Sequence, residues 1–129
     1  QVGSIALLSS AVSCEYDLTA ALAHVGQRMI VFRNEKDSLL RSFMPMFGTA
    51  DRAPRVGDRV AGLYGFSMPV GASVERTAAY RKIDTIEWHP DHRQFDHAGR
   101  HTDCKNPEFV ENVIAPLLLR KPAPELAAR

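Results

Sequence analysis

The side chains best suited to chemistry follow two apolar segments of the chain. Asp37 comes shortly after the run Met29–Phe32. His97 and His101 come after the segment Tyr80–Trp88. If these segments are neighbouring parallel strands, their carboxyl ends meet at the sheet edge where such sheets bind ligands. A carboxylate beside an imidazole can orient the ring while the ring accepts a proton from a nucleophile. The order therefore predicts an acid–base pair of Asp37 with one of the two histidines.

The apolar pattern predicts the strands that would hold these residues. Val2–Ser9 and Met29–Phe32 are continuous apolar runs, which are typical of strands buried on both faces of a parallel sheet. Tyr80–Trp88 alternates apolar and polar side chains, which indicates a strand near the sheet edge with one solvated face. We expect further strands from sequence outside these 129 residues, since three strands with open edges make a poor independent domain.

Three helices are predicted from apolar residues at helical spacing, and each is bounded by a capping residue, a glycine or a proline. Strands alternating with helices imply right-handed crossovers, hence an α/β fold with a mainly parallel sheet flanked by helices. The predicted helices are Leu18–Val25 between Asp17 and Gly26, a short helix from Leu39 to Met44 that ends at Pro45, and a helix that begins at Asn106 and is kinked or ended near Ala115 by Pro116.

Residues 47–79 interrupt this order. Glycines and prolines punctuate mixed charges there without a sustained period, so we expect an irregular insertion in a domain spanning residues 1–120. The insertion stretches the segment between Asp37 and His101 well beyond the roughly 30 residues that a helix, a strand and two short loops need. We expect it to cap the site as a lid or wall, and residues 121–129 to form a loose tail. The side chains expected to line an apolar or acyl substrate are Leu63, Tyr64, Phe66 and Met68.

Composition excludes several classes of protein. The 16 basic and 15 acidic residues leave a net charge of +1, and 45% of residues are hydrophobic, which rules out a disordered chain. The near-neutral charge argues against a nucleic-acid partner. The longest apolar runs are far shorter than the ~18 residues that span a bilayer, so we expect a soluble protein. The two cysteines, Cys14 and Cys104, are too few for a disulfide framework.

The same residues and their surroundings resemble the C-terminal part of the α/β-hydrolase family. The resemblance covers most of the chain, roughly the last three strands of that fold. It implies a serine hydrolase of ester or acyl bonds, with a small-molecule substrate, no cofactor and no metal. It also implies that Asp37 is the acid after the penultimate strand and His101 the base, with His97 as the alternative base. The segments that carry the resemblance are LLSSAVSCEYDLTAAL, MIVFRNEKD, TIEWHP, GRH, PEFVENVIAPLLL and, more weakly, FGTADR with AGLYGF.

The nucleophile of such a triad is absent from the sequence. No G-x-S-x-G motif occurs, and Gly65–Pro69 (GFSMP) has half of the pattern without a preceding strand. In the family the nucleophile precedes the acid and the strand that opens this chain. The chain also begins with Gln1 rather than Met. We therefore expect an N-terminal remainder of the same domain to supply the nucleophile and the oxyanion hole, and these 129 residues to be inactive alone.

Three other interpretations compete with this one. Asp37 could simply cap the helix that begins at Ser38, because aspartate is a preferred N-cap residue. The chain could be a non-catalytic, hydrolase-like module that binds a partner through an open sheet edge. The spacing His97-x3-His101-x2-Cys104 could supply nitrogen and sulfur ligands to zinc.

Overall fold

The computed structural model describes residues 1–53 and 59–120, and the predicted tail 121–129 lies outside them. Three strands form one parallel sheet in the order β1–β2–β3, with helices packed on it, which confirms the predicted α/β class. The elements are β1 (Val2–Leu8), α1 (Thr19–Ala23), β2 (Val25–Arg33), α2 (Ser38–Phe47), α3 (Ala61–Tyr64), α4 (Val74–Tyr80), β3 (Ile83–Glu87), two short 3-10 helices (Pro90–Phe95 and Asp103–Lys105) and a last helix in which α5 (Pro107–Phe109) continues through a π-helical segment (Val110–Ile114) into α6 (Ala115–Leu119).

The central strand β2 is buried on both faces because a helical layer covers each of them. On one face, Met29 and Val31 pack with residues of α1 and with Tyr80 of α4. On the other face, Phe32 packs with Phe109 at the start of the last helix. Burial of each such side chain contributes about 1.5–3 kcal/mol, so the sheet is stabilised from both sides.

The strand β3 lies at the sheet edge, as its alternating side chains predict. Its residues are half-buried or exposed in turn, and it pairs with β2 in the register Met29–Ile83 through Arg33–Glu87. Both β2 and β3 run in the same direction, so their carboxyl ends reach the same edge of the sheet. The loops that carry the candidate acid and the candidate histidines both leave from that edge.

The boundary between α1 and β2 differs from the predicted one. The helix ends at Ala23, and Gly26, predicted as its terminating glycine, lies inside β2. Val25 is fully buried and pairs with Val2, so packing and strand pairing place it in β2 rather than in the helix. Lys82 takes over the capping role, since its Nζ donates to the carbonyls of Leu22 (3.1 Å) and Val25 (2.7 Å).

The two helix prolines have different outcomes. α2 does not end at Pro45, as predicted, but continues to Phe47. At Pro116, predicted to kink or end the last helix near Ala115, the helix changes from the π-helical segment (Val110–Ile114) to α6 (Ala115–Leu119) and continues. A proline ring clashes with the carbonyl four residues earlier in a regular α-helix. The π-helical segment directly before α6 widens the turn at that point, which makes room for the ring of Pro116.

The insertion is more ordered than predicted, because it contains the helices α3 and α4; its residues 54–58 lie outside the described ones. α3 lies against the carboxyl ends of β1 and β2, where Gly62 donates to the carbonyl of Ser10 (2.8 Å) and accepts from the N–H of Asn34 (2.7 Å). A Cβ on Gly62 would come within 2.7 Å of the carbonyl oxygen of Ser10, so this approach requires glycine. The insertion therefore covers the sheet edge from which the acid-bearing loop leaves.

The helices of the described residues are also informative about membranes. None of them is long and apolar enough to cross a bilayer. The longest uninterrupted α-helix, α2, has ten residues, about half the length that such a crossing needs.

Candidate active site

Asp37 ends the loop after β2 and begins α2. Its Oδ1 accepts the N–H of Leu40 at 3.0 Å, which is the N-cap contact expected of aspartate at this position. Its Oδ2 faces the ring of His101 instead. Only 1% of the Asp37 surface is exposed, so both oxygens act within the protein. Capping and pairing are therefore both present, because each oxygen of the carboxylate makes one of the two contacts.

His101 lies in the loop that follows β3 and points its Nδ1 at Asp37. The distance from Nδ1 to Oδ2 of Asp37 is 2.7 Å, as short as a charge-assisted hydrogen bond. With Nδ1–H donating to the carboxylate, Nε2 of the neutral ring is the nitrogen that can accept a proton. About a quarter of the His101 side chain (24%) is exposed, which leaves the ring accessible at the surface.

The backbone of His101 is held separately from its ring. Ser9, at the end of β1, donates its Oγ to the carbonyl of His101 at 3.0 Å. The Sγ of Cys104 lies 3.4 Å from the same carbonyl and 3.1 Å from the Oγ of Ser9. Ser9 has a positive φ of 50°, which is uncommon for a residue other than glycine. All three strands therefore contribute to the site: β1 holds the backbone of His101, β2 leads to Asp37, and β3 leads to the histidine loop.

The loop before His101 is shaped by a buried carboxylate. Oδ2 of Asp103 accepts the N–H groups of Ala98 (2.9 Å) and Arg100 (3.1 Å). Burial opposes ionisation of Asp103, but the hydrogen bonds from Arg100 and Ala98 outweigh it and hold the pKa of this carboxyl below its usual value. Gly99, between these donors, has φ +101°, a conformation that favours glycine. Asp103 thus stabilises the turn that directly precedes His101.

His97, the alternative base, is not brought to Asp37 by a hydrogen bond. Its ring is 1% exposed and packs edge-on against Phe109, with the two centroids 4.6 Å apart. Its Nδ1 accepts the N–H of Gly99 at 3.1 Å, and its Nε2 is buried with no hydrogen-bond partner in the described part of the chain. Burial lowers the pKa of His97, so the ring is neutral near pH 7. Of the two candidate histidines, the structure places only His101 within hydrogen-bonding distance of the acid.

The lowered pKa of His97 gives a testable pH dependence. Below the unperturbed value of 6.5, the unfolded chain binds a proton that the folded chain resists, so the free energy of unfolding falls on acidification. The loss runs from pH 6.5 down to the lowered folded pKa, with a slope approaching about 1.4 kcal/mol per pH unit. His92 is shifted in the same direction, by burial and then by His89, and adds to the slope. The free energy of unfolding is measured by urea unfolding, followed by Trp88 fluorescence, at several pH values from 7.5 to 5.

The variant His97→Gln separates the two histidines, because it removes one titrating ring and leaves His92 in place. We expect a shallower loss of stability on acidification than in the original chain. Equal slopes for the two proteins would contradict the assignment of this pH dependence to His97.

The four residues predicted to line a substrate pocket fall into two pairs. Leu63 is fully buried against Leu40 and Val60, and Phe66 packs against the cluster around α1, so these two side chains are part of the core and Leu63 offers no surface to a substrate. Tyr64 and Met68 are partly exposed. Met68 lines a hollow of about 450 Å³, and the other residues that line it are Glu15, Arg59, Ser67, Pro69 and Val70.

The zinc interpretation lacks a donor set in the described residues. Across residues 1–53 and 59–120, no three histidine, cysteine or acidic side chains are arranged to hold a metal ion. The three predicted ligands face different partners: His97 the aromatic core, His101 the acid, and Cys104 the carbonyl of His101. Cys14 and Cys104 are both buried and do not form a disulfide.

Three polar residues that support the pair were not predicted from the sequence: Ser9, Asn34 and Asp103. Ser9 and Asn34 contact the backbone of a distant loop, so their contacts exist only once the strands are aligned, whereas Asp103 binds N–H groups of its own loop. Asn34 carried the clearest local signal, because an asparagine directly after a strand commonly forms a turn with its own backbone.

Known proteins offer no direct guide to this arrangement. Comparisons of the chain with protein-family models, curated proteins and solved structures found no match. The features that bear on function are therefore the geometry of Asp37 and His101 and the resemblance carried by the sequence.

Proposed function

We propose that this chain is the C-terminal part of a serine hydrolase of the α/β-hydrolase type, and that it supplies the acid and the base of a Ser-His-Asp triad. The observation that supports the proposal most is the 2.7 Å contact between Nδ1 of His101 and Oδ2 of the buried Asp37. The two residues follow neighbouring parallel strands, at the edge where active sites of open α/β sheets are found. The order of acid before histidine agrees with that of the hydrolase family.

In this proposal Asp37 and His101 divide the work of proton transfer. The carboxylate of Asp37 keeps Nδ1 protonated, so that Nε2 accepts the proton of the attacking serine. The resulting imidazolium is stabilised by the same carboxylate, and His101 then returns the proton to the leaving group. The serine and the oxyanion hole belong to sequence that precedes Gln1, and the substrate is a small molecule with an ester or related acyl bond.

Part of the substrate surface would come from the insertion. Tyr64 and Met68 keep exposed side chains close to α3, which lies against the carboxyl ends of β1 and β2. An apolar ring and a thioether are suited to hold an acyl chain or another apolar group. Leu63 and Phe66 would support this surface from the core rather than touch the substrate.

A fluorophosphonate probe tests the proposal directly, since it labels a serine only when a base activates that serine. The protein is produced with its natural upstream sequence, labelled, digested and mapped. We expect one labelled serine, located before residue 1, and complete loss of label in the variant His101→Ala. The variant Ser67→Ala serves as a control, because Ser67 lies in the half-motif GFSMP and should leave labelling unchanged. Absence of label from the original protein, or undiminished label in His101→Ala, would contradict the proposal.

A non-catalytic binding module is the second candidate, and the sheet edge favours it. Within the described residues, β1 pairs only with β2, so the other side of Val2–Leu8 is open to a further strand. The two candidates differ in the upstream gene sequence. A strand followed by G-x-S-x-G and a helix upstream supports the hydrolase, whereas a start codon immediately before the codon of Gln1 supports the binding module.

A further inference from the structure

Asn34 connects the loop that carries the acid to the loop that carries the base. It directly follows β2, and its Nδ2 donates to the carbonyl of Gly99 at 2.8 Å. Asn34 precedes Asp37 by three residues, and Gly99 precedes His101 by two. This hydrogen bond therefore joins the two loops close to the point where their side chains meet.

The remaining polar groups of Asn34 are also occupied. Its Oδ1 accepts the N–H of Lys36 at 3.0 Å, its carbonyl accepts the N–H of Asp37 at 3.1 Å, and its own N–H donates to the carbonyl of Gly62 at 2.7 Å. Only 5% of its surface is exposed. Oδ1 and the carbonyl shape the turn that leads to Asp37, while Nδ2 reaches across to the other loop.

The carbonyl of Gly99 is fixed on its other side as well. The N–H of Arg100, which belongs to the same peptide group, donates to Oδ2 of the buried Asp103 at 3.1 Å. The loop therefore presents this carbonyl to Asn34 in one orientation. The hydrogen bond from Nδ2 of Asn34 to the carbonyl of Gly99 therefore joins two groups that are each held in place within their own loops.

We propose that Asn34 is a positioning residue, which sets the distance between the carboxylate of Asp37 and the imidazole of His101 by tying their two loops together. This role rests on the proposed function, in which the two side chains act as acid and base. The hydrogen bonds of Asn34 go to backbone groups and not to the side chains of Asp37 and His101. Its effect passes through the backbone of residues 34–37 and 99–101.

The variant Asn34→Ser isolates the bond between the loops. A serine hydroxyl still accepts the N–H of Lys36 in a local turn, but it is too short to reach the carbonyl of Gly99. The matched control is Asn112→Ser, because the amide of Asn112 donates to the carbonyl of Glu108 at the same 2.8 Å, within the last helix. Both variants remove a side-chain amide that donates to a backbone carbonyl, one buried at the site and one exposed on the last helix.

The readout is the Nδ1 proton of His101, observed by NMR in the protein with its natural upstream sequence and assigned by its loss in His101→Gln. In Asn34→Ser we expect this resonance to move upfield and its exchange with water to accelerate about tenfold, as for the loss of one buried hydrogen bond. In Asn112→Ser we expect both to stay as in the original chain. Urea unfolding of the same samples reports global stability.

A second variant, Asn34→Asp, keeps the shape of the side chain if the serine variant fails to fold. Its carboxylate oxygen replaces the donor that faces Gly99 and repels the carbonyl. The added negative charge by itself favours a proton on the nearby ring, so weakening of the Nδ1 resonance here must come from geometry. An unchanged Nδ1 resonance in the folded Asn34 variants would overturn the proposal and leave Asn34 a stabilising residue only.

This measurement needs neither substrate nor nucleophile. Failure of fluorophosphonate labelling would refute the hydrolase and leave the NMR result standing. Conversely, a labelled hydrolase with an unchanged Nδ1 resonance in the Asn34 variants would refute only the positioning role.

Discussion

Replacement of Asp37 by asparagine is expected to lower kcat/KM of the proposed hydrolase, produced with its natural upstream sequence, by about 10⁴-fold. The two oxygens of Asp37 have different partners, and an amide has only one oxygen to offer. If that oxygen keeps the N–H of Leu40, the atom facing His101 becomes an NH2 donor. The ring must then accept at Nδ1 and carry its proton on Nε2. A ring in this tautomer cannot take the proton of the serine.

The alternative orientation of the amide is unfavourable for a local reason. Turning the oxygen towards His101 would place the NH2 group against the N–H of Leu40, so that two donors face each other at the start of α2. The helix would also lose its N-cap, at a cost of about 1 kcal/mol. The cap therefore determines which atom of the amide meets the ring.

Steady-state hydrolysis of an activated ester by the protein with its natural upstream sequence measures the effect. Asp91→Asn is the matched control, because Asp91 lies in the exposed 3-10 helix of the same histidine-rich segment and is not paired with His101. We expect the control to retain activity within about twofold. A loss of less than tenfold in Asp37→Asn would show that the contact with His101 does not serve catalysis.

The contact between Asp37 and His101 could be predicted because it depends on chain order and strand direction. Two buried apolar runs and one alternating run predicted parallel strands, and the carboxyl ends of adjacent parallel strands lie together. The resemblance of Gly99-Arg100-His101 to the family's Gly-x-His motif then favoured His101 over His97. This prediction needed only the order of the residues and the direction of the strands, and no interatomic distance.

The burial of His97 in the aromatic core could not be predicted, because it depends on packing between distant residues. Its ring is buried by Phe32 of β2 and Phe109 of the last helix, which lie 65 residues before it and 12 after it. Gly26 was misjudged for a similar reason. Its local preference indicates the end of a helix, but pairing of Val25 with Val2 extends β2 across it.

Truncation of Phe109 to alanine is expected to destabilise the chain by about 3–5 kcal/mol. The ring is fully buried and contacts Phe32 with centroids 5.0 Å apart and His97 with centroids 4.6 Å apart. Its removal leaves a cavity between β2 and the last helix, next to the ring of His97. Domains of this size have about 5–15 kcal/mol of stability, so the loss is a large part of the total.

Urea unfolding followed by the fluorescence of the single tryptophan, Trp88, measures this loss, since Trp88 belongs to the same cluster as Phe109. Leu119→Ala is the matched control, because Leu119 lies at the end of the same helix with 82% of its surface exposed, and we expect it to change stability by less than about 0.5 kcal/mol. Phe109→Leu keeps most of the volume, and we expect it to fall between the two. Equal stabilities of Phe109→Ala and Leu119→Ala would mean that the last helix does not pack on β2 as described. His97 would then lose the support that holds Gly99, and with it the basis for a fixed histidine loop.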